Sequence, residues 1–143
     1  MADVFTKEKR SEIMSKIRSG NTKPEMIVRR HLHKNGFRYA IHSKKLPGSP
    51  DIVLVSRKIA IFINGCFWHG HKDCFYSKLP ISNADFWRNK ISTNVLRDAK
   101  NHKLIRGLGY KVLTVWQCQL KGKVRDRTLR ELVRKIEKYK SKY

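Results

Sequence analysis

The stretch Ile52–Ile63, with the sequence IVLVSRKIAIFI, contains two short apolar runs separated by a polar turn. The runs Ile52–Val55 and Ile59–Ile63 consist almost entirely of aliphatic residues, which is typical of strands buried on both faces. The turn around Arg57 is short enough to join them as a hairpin. The sequence therefore predicts a sheet with these two strands at its centre.

Weaker patterns on either side extend this sheet. Phe37, Tyr39 and Ile41 alternate with polar residues, which predicts a half-buried strand that ends at the turn Pro47–Pro50. The run Tyr110–Trp116 is apolar enough to be a fourth, internal strand.

Two helices are predicted between the strands. Thr22 and Glu25 have the spacing of a capping box that opens the first helix, and Asn35-Gly36 closes it. A longer helix follows Asn83 and runs towards Leu108. Its roughly in-phase apolar positions, which we expect to face the core, are Phe86, Ile91, Val95 and Leu104.

The C-terminal segment from Lys121 onward is densely basic and predicts a further, amphipathic helix. The apolar positions of this helix are Leu129, Leu132, Val133 and Ile136.

Length and charge narrow the class of protein. The 143 residues suit one domain, and 33 Lys and Arg against 11 Asp and Glu give a formal charge of +22. Such a field attracts polyanions, of which nucleic acid and anionic lipid are the main candidates. No apolar run is long enough to span a membrane, and Met1–Gly20 is polar with no stretch resembling a signal sequence. We therefore expect a soluble, cytoplasmic protein.

The segment Val4–Arg18 places Ile13, Met14 and Ile17 on one face of an otherwise charged helix. So short an apolar face makes the helix marginal, and we expect its ordering to depend on a partner. Residues 1–20 are therefore predicted to be a flexible arm in front of a single domain, residues 21–143.

Asp51 lies where a proline turn enters the first central strand. A carboxylate in that place, beside a neighbouring strand, is how many nucleases hold Mg²⁺ next to a phosphate. The alternative is that Asp51 is only a turn residue after Pro50, which is the commoner role of this dipeptide.

The loop after the second central strand contains Cys66 and Cys74 and has no core of its own. With Cys118 and one histidine, these thiols would complete a Cys₃His zinc site that holds the loop. Spacing alone allows either His69 or His71 as the fourth ligand and leaves the other for acid or base chemistry. The alternative is three buried free thiols with solvated histidines.

Phe67 and Trp68 are adjacent in this glycine-flanked loop, and Trp87 follows in the next helix. Core packing is the usual role of such side chains, but an exposed aromatic pair can also wedge into a stack of bases. The residues alone leave both roles open.

Several blocks of the sequence resemble the very short patch repair (Vsr) endonucleases, over roughly Val4–Leu120. The most specific block is Phe62–His71, FINGCFWHGH. The resemblance also covers shorter pieces: Arg10-Ser11, Met14, Ile17, Thr22–Glu25, Leu46–Asp51, Phe86-Trp87, Lys90-Ile91, Asn94, Arg97-Asp98 and Val115–Cys118.

The resemblance implies an α/β fold with a restriction-endonuclease-like core, in which helices flank a mixed central sheet. It also implies a hydrolase that nicks one strand of double-stranded DNA 5′ to the thymine of a T·G mismatch. Such mismatches arise when 5-methylcytosine deaminates, and the nick starts very short patch repair.

The resemblance further implies roles for individual residues. The ligands of a catalytic Mg²⁺ are matched by Asp51 and the Ile63 main-chain carbonyl. His69 matches the base that activates water, and Glu25 matches a supporting acid. The ligands of a structural zinc are matched by Cys66, His71, Cys74 and Cys118. Phe67, Trp68 and Trp87 match aromatic residues that intercalate into the DNA. Met14 matches a residue that probes the opposite groove. Lys90 and Asn94 match residues that contact the mismatched pair.

One position departs from the family pattern. Some members carry a second histidine where this chain has Asn64, and an amide cannot titrate. We predict that Asn64 hydrogen-bonds a phosphate or a metal-bound water, while His69 carries more of the proton transfer. The second acid and the lysine usual in restriction-type sites are also absent from Ile59–Gly65, and the family uses a backbone carbonyl and histidine instead.

Simpler roles remain for three features. Glu25 could serve only to cap its helix. Asp98 beside Arg97 is most simply one half of a surface ion pair. The basic tail Lys121–Lys142 is most simply a phosphate-facing or solvated helix.

Rival functions also remain. A non-catalytic, zinc-stapled DNA-binding module is favoured by Asn64, and a small basic RNA-associated protein is suggested by charge alone. A strand-nicking nuclease without mismatch preference is a third. For the main hypothesis we expect a monomer, associated with the bacterial nucleoid, with T·G-mismatched duplex DNA and other repair proteins as partners and no membrane contact.

Overall fold

The computed structural model describes residues 22–139. The predicted N-terminal helix Val4–Arg18, and Met14 with it, lie outside the described residues.

Four strands form one mixed sheet in the order β1-β2-β3-β4. Strand β1 is paired antiparallel with β2, β2 is antiparallel to β3, and β3 is parallel to β4. The strands are Ala40–Ile41 (β1), Ile52–Leu54 (β2), Ile59–Asn64 (β3) and Lys111–Trp116 (β4). The predicted α/β class with a mixed sheet is confirmed.

The central hairpin is confirmed in both of its strands. All three residues of β2 are buried, as are five of the six residues of β3. The turn between them is a 3₁₀ turn, Val55–Arg57, closed by Lys58 in the left-handed conformation with φ 54°.

Three helices cover the two faces of the sheet. They are Lys23–Lys34 (α1), Ala84–Gly107 (α2) and Arg125–Lys138 (α3). Alternate residues of β3 point to opposite faces, so Ile59 and Ile61 pack with α1 and α3, while Ala60 and Phe62 pack with Ile105 of α2. The residues that α1 and α3 bury in the main core are Val28, Leu32, Leu129, Leu132 and Ile136.

The strand predicted at 37–41 is shorter than expected, because only Ala40 and Ile41 pair with β2. Phe37 and Tyr39 instead pack against the main core, and the Tyr39 hydroxyl donates to the Arg29 carbonyl of α1 at 3.1 Å. The side chains of Phe37 and Tyr39 alternate as in a strand, but their backbone belongs to the segment that connects α1 to the sheet.

The predicted apolar face of the long helix is wrong. Phe86, Val95 and Leu104 are 60, 42 and 49 % exposed, and the buried residues of α2 are Asn94 and Ile105. The reason is that α2 is a crossover between the parallel strands β3 and β4. Only its C-terminal part meets the apolar sheet face, and the rest of the helix lies over loops.

The C-terminal amphipathic helix is confirmed, but α3 begins at Arg125, after the 3₁₀ turns Gln117–Leu120 and Gly122–Val124. Because its apolar side is part of the main core, the interpretation as a merely solvated helix is wrong. Within residues 22–139, no helix combines the length and apolar character needed to cross a membrane.

Candidate active site and metal centre

A cavity of about 600 Å³ opens at the end of the sheet where β2 begins and β3 ends. These two ends coincide because the strands are antiparallel. The candidate catalytic residues Glu25, Asp51, Ile63, Asn64 and His69 all line it. Side chains from distant parts of the sequence therefore share one volume.

Asp51 is anchored to the neighbouring strand. The main-chain N–H of Ile63 donates to Asp51 Oδ2 at 2.7 Å. The N–H and C=O of one strand residue project from the same edge, so the Ile63 carbonyl faces the same side. Burial, together with the nearby Glu25 carboxyl, raises the pKa of Asp51 to about 6, against the opposing effect of the Ile63 N–H.

Glu25 is buried and held by two basic groups. Both of its carboxylate oxygens are hydrogen-bonded to His42 Nε2, at 3.0 and 2.8 Å, and Arg29 Nη1 donates to Oε2 at 3.3 Å. Thr22 is the N-cap of α1 but makes no side-chain cap bond, so the predicted capping box is wrong. The carboxylate is turned towards the cavity because its partners lie there.

His42 is a member of this site that the sequence analysis missed. Ligand atoms of Glu25, His42 and Asp51 all lie within 4.8 Å of one another. The main-chain N–H of His42 also donates to the Asp51 carbonyl at 3.1 Å, and its φ is 47°. Neither periodicity nor a motif marks His42, because it follows a strand of only two residues.

His69 is paired with Asp98 of α2, with 2.5 Å between Nδ1 and Oδ2. The expectation that Asp98 forms a surface ion pair with Arg97 is wrong. A carboxylate only accepts hydrogen bonds, so Nδ1 carries a proton, and in the neutral form of the imidazole Nε2 is the nitrogen with the lone pair. The sequence signal for this pairing was the Arg97-Asp98 block, which also lines the cavity.

Two asparagines of the candidate site are buried. Asn64 ends β3 and is 5 % exposed, and Asn94 of α2 is 3 % exposed. Asn94 Nδ2 donates to the Trp68 carbonyl at 3.0 Å, and its Oδ1 has no hydrogen-bond partner within residues 22–139. Lys90, one turn earlier, is partly buried. Asn94 therefore lies beneath the aromatic loop and not on an open helix surface.

A second cluster brings together the three thiols and one imidazole. The ligand atoms of Cys66, His71, Cys74 and Cys118 lie within 4.8 Å of one another. Asn64 pairs with Trp116 at the ends of β3 and β4, and Cys66 and Cys118 each lie two residues farther along. The parallel register thus places two ligands side by side.

This cluster fits a tetrahedral metal. With metal–sulfur bonds of about 2.3 Å and metal–nitrogen bonds of about 2.0 Å, each sulfur–nitrogen edge is about 3.5 Å. Cys118 Sγ and His71 Nδ1 are 3.5 Å apart. Burial raises the pKa of Cys66 to about 12, so a metal has to displace the proton of this thiol.

Gly70 directs the two neighbouring histidines to different sites. Its φ is +59°, and a Cβ there would lie 2.8 Å from Ile91 Cγ2 and 3.0 Å from Val95 Cγ2. Glycine therefore lets the loop lie directly on α2. His69 on one side faces the cavity, and His71 on the other faces the thiols.

The ring of His71 is fixed by stacking. It lies parallel to Trp116, with ring centroids 4.0 Å apart and an interplanar angle of 7°. Ser77 Oγ donates to the His71 and Cys74 carbonyls at 2.7 and 2.8 Å. These contacts hold the loop in the shape that the cluster needs.

Phe67, Trp68 and Trp87 form one aromatic cluster. Their ring centroids are 5.5 to 5.7 Å apart and all three pairs meet edge to face. Each of the three residues is partly buried, and Phe86, which is 60 % exposed, extends the cluster through Trp87. The rings pack on one another while keeping an accessible edge.

Comparison with known proteins identifies the family of this chain. The sequence model of the family described as "DNA mismatch endonuclease Vsr" matches residues 2–75. The Type II nicking enzyme V.NmeAIP of Neisseria meningitidis serogroup A is 49% identical over 139 residues, which are 96% of this chain and 98% of that protein. The Type II nicking enzyme V.XorIIP of Xanthomonas oryzae pv. oryzae is 45% identical over 120 residues, 84% of this chain and 88% of that protein.

The DNA mismatch endonuclease Vsr of Escherichia coli is 38% identical over 133 residues, which are 92% of this chain and 85% of that protein. With a family model that covers half of the sequence and several relatives aligned over most of it, the chain belongs to the Vsr family of DNA mismatch endonucleases.

Proposed function

We propose that this endonuclease nicks one strand of duplex DNA 5′ to the thymine of a T·G mismatch, with Mg²⁺ as its catalytic metal and zinc as its structural metal. In this proposal the sheet and its helices form a restriction-endonuclease-like core. The substrate follows from the resemblance, and the chemistry follows from the cavity. The observation that carries it is the shared cavity of Asp51 and the His69–Asp98 pair.

His69 acts as the general base. Asp98 holds Nδ1, so Nε2 takes the proton of the attacking water, work worth about 10²–10⁴-fold in rate. The water oxygen bonds to phosphorus and the P–O bond on the 5′ side of the thymidine phosphate breaks. Asn64, at the end of β3, donates a hydrogen bond to the phosphate or to water and cannot share the proton transfer.

Asp51 and the Ile63 carbonyl would hold Mg²⁺, with Glu25 as a supporting acid behind them. Oxygen ligands of this kind suit Mg²⁺, so the donor set fits. When bound, this metal supplies positive charge to the phosphate in the transition state. His42 and Arg29 orient Glu25 by their contacts with its carboxylate.

Zinc is proposed at Cys66, His71, Cys74 and Cys118, because thiolates and imidazole are its preferred ligands. Its role is structural, since four protein ligands leave no open position. The loop that carries His69 and the aromatic cluster is fixed by this site and by α2.

The aromatic cluster is proposed as the DNA wedge. Phe67, Trp68 and Trp87 enter the base stack beside the mismatch, which is cheaper to open than a paired step. Lys90 and Asn94 are proposed to contact the mismatched pair, for which Asn94, buried beneath the aromatic loop, must first be uncovered. Met14 probes the opposite groove from the flexible arm, residues 1–20.

The protein is further proposed to act as a monomer in the bacterial cytoplasm, at the nucleoid, since a nick in one strand needs one active site. The net charge of +22 supports attraction to DNA. Contacts with other repair proteins belong to the same proposal.

A second candidate is a strand-nicking endonuclease without mismatch preference. The names of the relatives that are 49% and 45% identical support it, because both are described as Type II nicking enzymes. This candidate keeps the same chemistry and differs only in the DNA that is recognised.

A nicking assay separates these functions. Two duplexes that differ only in one T·G or T·A pair are labelled on each strand and incubated with Mg²⁺ or without added divalent metal. We expect one nick, 5′ to the thymine, only in the T·G duplex with Mg²⁺, and none with Asp51→Ala. Equal nicking of both duplexes would support the second candidate. No nicking of either would refute both.

A further inference from the structure

Helix α2 presents a polar stripe to the catalytic cavity. Asn94, Arg97, Asp98 and Asn101 are spaced i, i+3, i+4 and i+7, and all four line the cavity. Asn94 Nδ2 donates a hydrogen bond to the Trp68 carbonyl, and Asp98 Oδ2 accepts one from His69 Nδ1. The Asn101 side chain lies against Gly48, where a Cβ would come within 3.0 Å of its Nδ2. Three members of the stripe are therefore occupied by contacts inside the protein.

Arg97 is the exception. It is exposed, and within residues 22–139 it makes no hydrogen bond or ion pair, although an aspartate follows it in the chain. It is also the only lysine or arginine among the described residues that line the cavity. Among residues 22–139, its guanidinium is thus the one permanent positive charge of the cavity lining.

The rest of the cavity is acidic. Glu25, Asp51 and Asp98 each bring a carboxyl group to it. His42 is engaged by Glu25 and His69 by Asp98, so neither is free to offer a positive charge to an anion. A phosphodiester entering this cavity meets repulsion that a positively charged side chain must offset.

We propose that Arg97 binds the non-bridging oxygens of the scissile phosphodiester and stabilises the transition state, an inference that rests on the proposed function. The phosphoryl oxygens gain negative charge when water adds to phosphorus, so a fixed guanidinium binds the transition state more strongly than the ground state. Its planar fork can donate two parallel hydrogen bonds to a phosphate. Arg97 thereby fills the place of the lysine that is absent from Ile59–Gly65.

The test compares Arg97→Ala, Arg97→Lys and the matched control Arg106→Ala. Arg106 is an exposed arginine of the same helix that does not line the cavity. Nicking of the T·G duplex is measured in single turnover with saturating enzyme, and Kd is measured by anisotropy without added divalent metal. Thermal melting checks that each variant is folded.

We expect Arg97→Ala to nick about 10²-fold more slowly at saturation. Its Kd should change no more than that of Arg106→Ala. Arg97→Lys should recover part of the rate, and added guanidinium ion should partly rescue Arg97→Ala. Rescue would show a chemical role, because a residue that only supports the fold cannot be replaced by a small ion.

Equal rates at saturation for Arg97→Ala and Arg106→Ala would overturn the inference, as would a loss of affinity alone. A wild-type protein that nicks neither the T·G nor the T·A duplex would instead overturn the proposed function, and the inference with it. The two failures are distinguishable because the second appears without any mutation.

Discussion

At the scale of single residues, the active site depends on groups whose environment changes their chemistry. Asp51 is the clearest case, since burial and a neighbouring carboxyl together raise its pKa to about 6. A carboxyl group so placed is costly to ionise unless a cation is bound beside it. The Asp51 carboxyl nevertheless lies inside the cavity.

This cost makes the metal-free protein sensitive to pH. The folded state binds more protons than the unfolded state between the ordinary pKa of Asp51, 3.8, and its raised value, about 6. Stability should therefore fall as pH rises through this window. We expect Asp51→Asn to be more stable than wild type by about 1–3 kcal/mol at pH 8 and about equal near pH 3.

Denaturant unfolding without added Mg²⁺, at a series of pH values, measures this difference. Asp85→Asn is the control, because the Asp85 side chain is 92% exposed and does not line the cavity. An Asp51→Asn protein less stable than wild type at pH 8 would contradict the prediction.

Asp98 acts on catalysis through His69. Replacing it by asparagine leaves the size of the side chain unchanged but allows the wrong imidazole tautomer. We expect Asp98→Asn to lower the nicking rate by up to about 10⁴-fold, the effect seen when the carboxylate behind a catalytic histidine is replaced by an amide. Single-turnover nicking measures it, with Asp126→Asn in the first turn of α3 as the control. An unchanged rate would mean that His69 does not need Asp98.

At the scale of elements, the loop between β3 and α2 has little regular structure beyond the 3₁₀ turn Phe75–Ser77. It is held by two sets of contacts in its first half: the thiol and imidazole cluster ties it to the turn after β4, and Gly70 lies against α2. We expect loss of a metal from this cluster to make the loop segment that carries His69 more mobile.

We expect Cys118→Ser to lose its bound zinc and to melt about 10 °C or more below wild type, because metal binding contributes directly to folding free energy. Metal content and thermal melting measure both effects. Chelation of wild type should reproduce the variant's melting temperature. The zinc assignment would be contradicted if the wild-type protein contained no zinc and had the same melting temperature as Cys118→Ser.

The elements with strong local patterns were predictable from sequence. The β2–β3 hairpin and the amphipathic helix α3 follow from apolar runs and spacing, and the structure agrees with both. The apolar face of α2 was predicted wrongly, because its neighbours are loops and a cavity rather than a continuous sheet. Helical periodicity predicts a core face only where a core is present.

The candidate site divides in the same way. Asp51 and the cysteines were found because a turn, a strand edge and cysteine spacing mark them. His42 and the pairing of His69 with Asp98 were not found from the residues, since they are contacts between segments 17 and 29 positions apart. Such contacts depend on the tertiary fold and leave no local pattern.

At the scale of the whole molecule, positive charge is distributed over all three helices, with 33 Lys and Arg in the chain. Such a surface attracts the DNA backbone whatever its sequence. Affinity and selectivity should therefore have separate origins, the first in the charge and the second in the aromatic loop.

We predict that binding of T·G and T·A duplexes weakens together as salt rises, by about 10³-fold or more between 50 and 200 mM. The ratio of the two affinities should change much less. Fluorescence anisotropy over a salt series measures both slopes, and Arg106→Ala should reduce the slope by at most about one. If the ratio of the T·G to the T·A affinity fell with salt as steeply as the affinities themselves, selectivity would also be electrostatic.

The parallel pairing of β3 and β4 also has a consequence for biosynthesis. Cys118, which follows β4, is the last thiol of the chain to leave the ribosome, long after the segment that bears His69. Until it arrives, an incomplete polypeptide lacks both the second parallel strand and the fourth ligand that fix this segment. We therefore expect chains interrupted before β4 to be inactive, because nothing yet holds the segment that bears His69 in place.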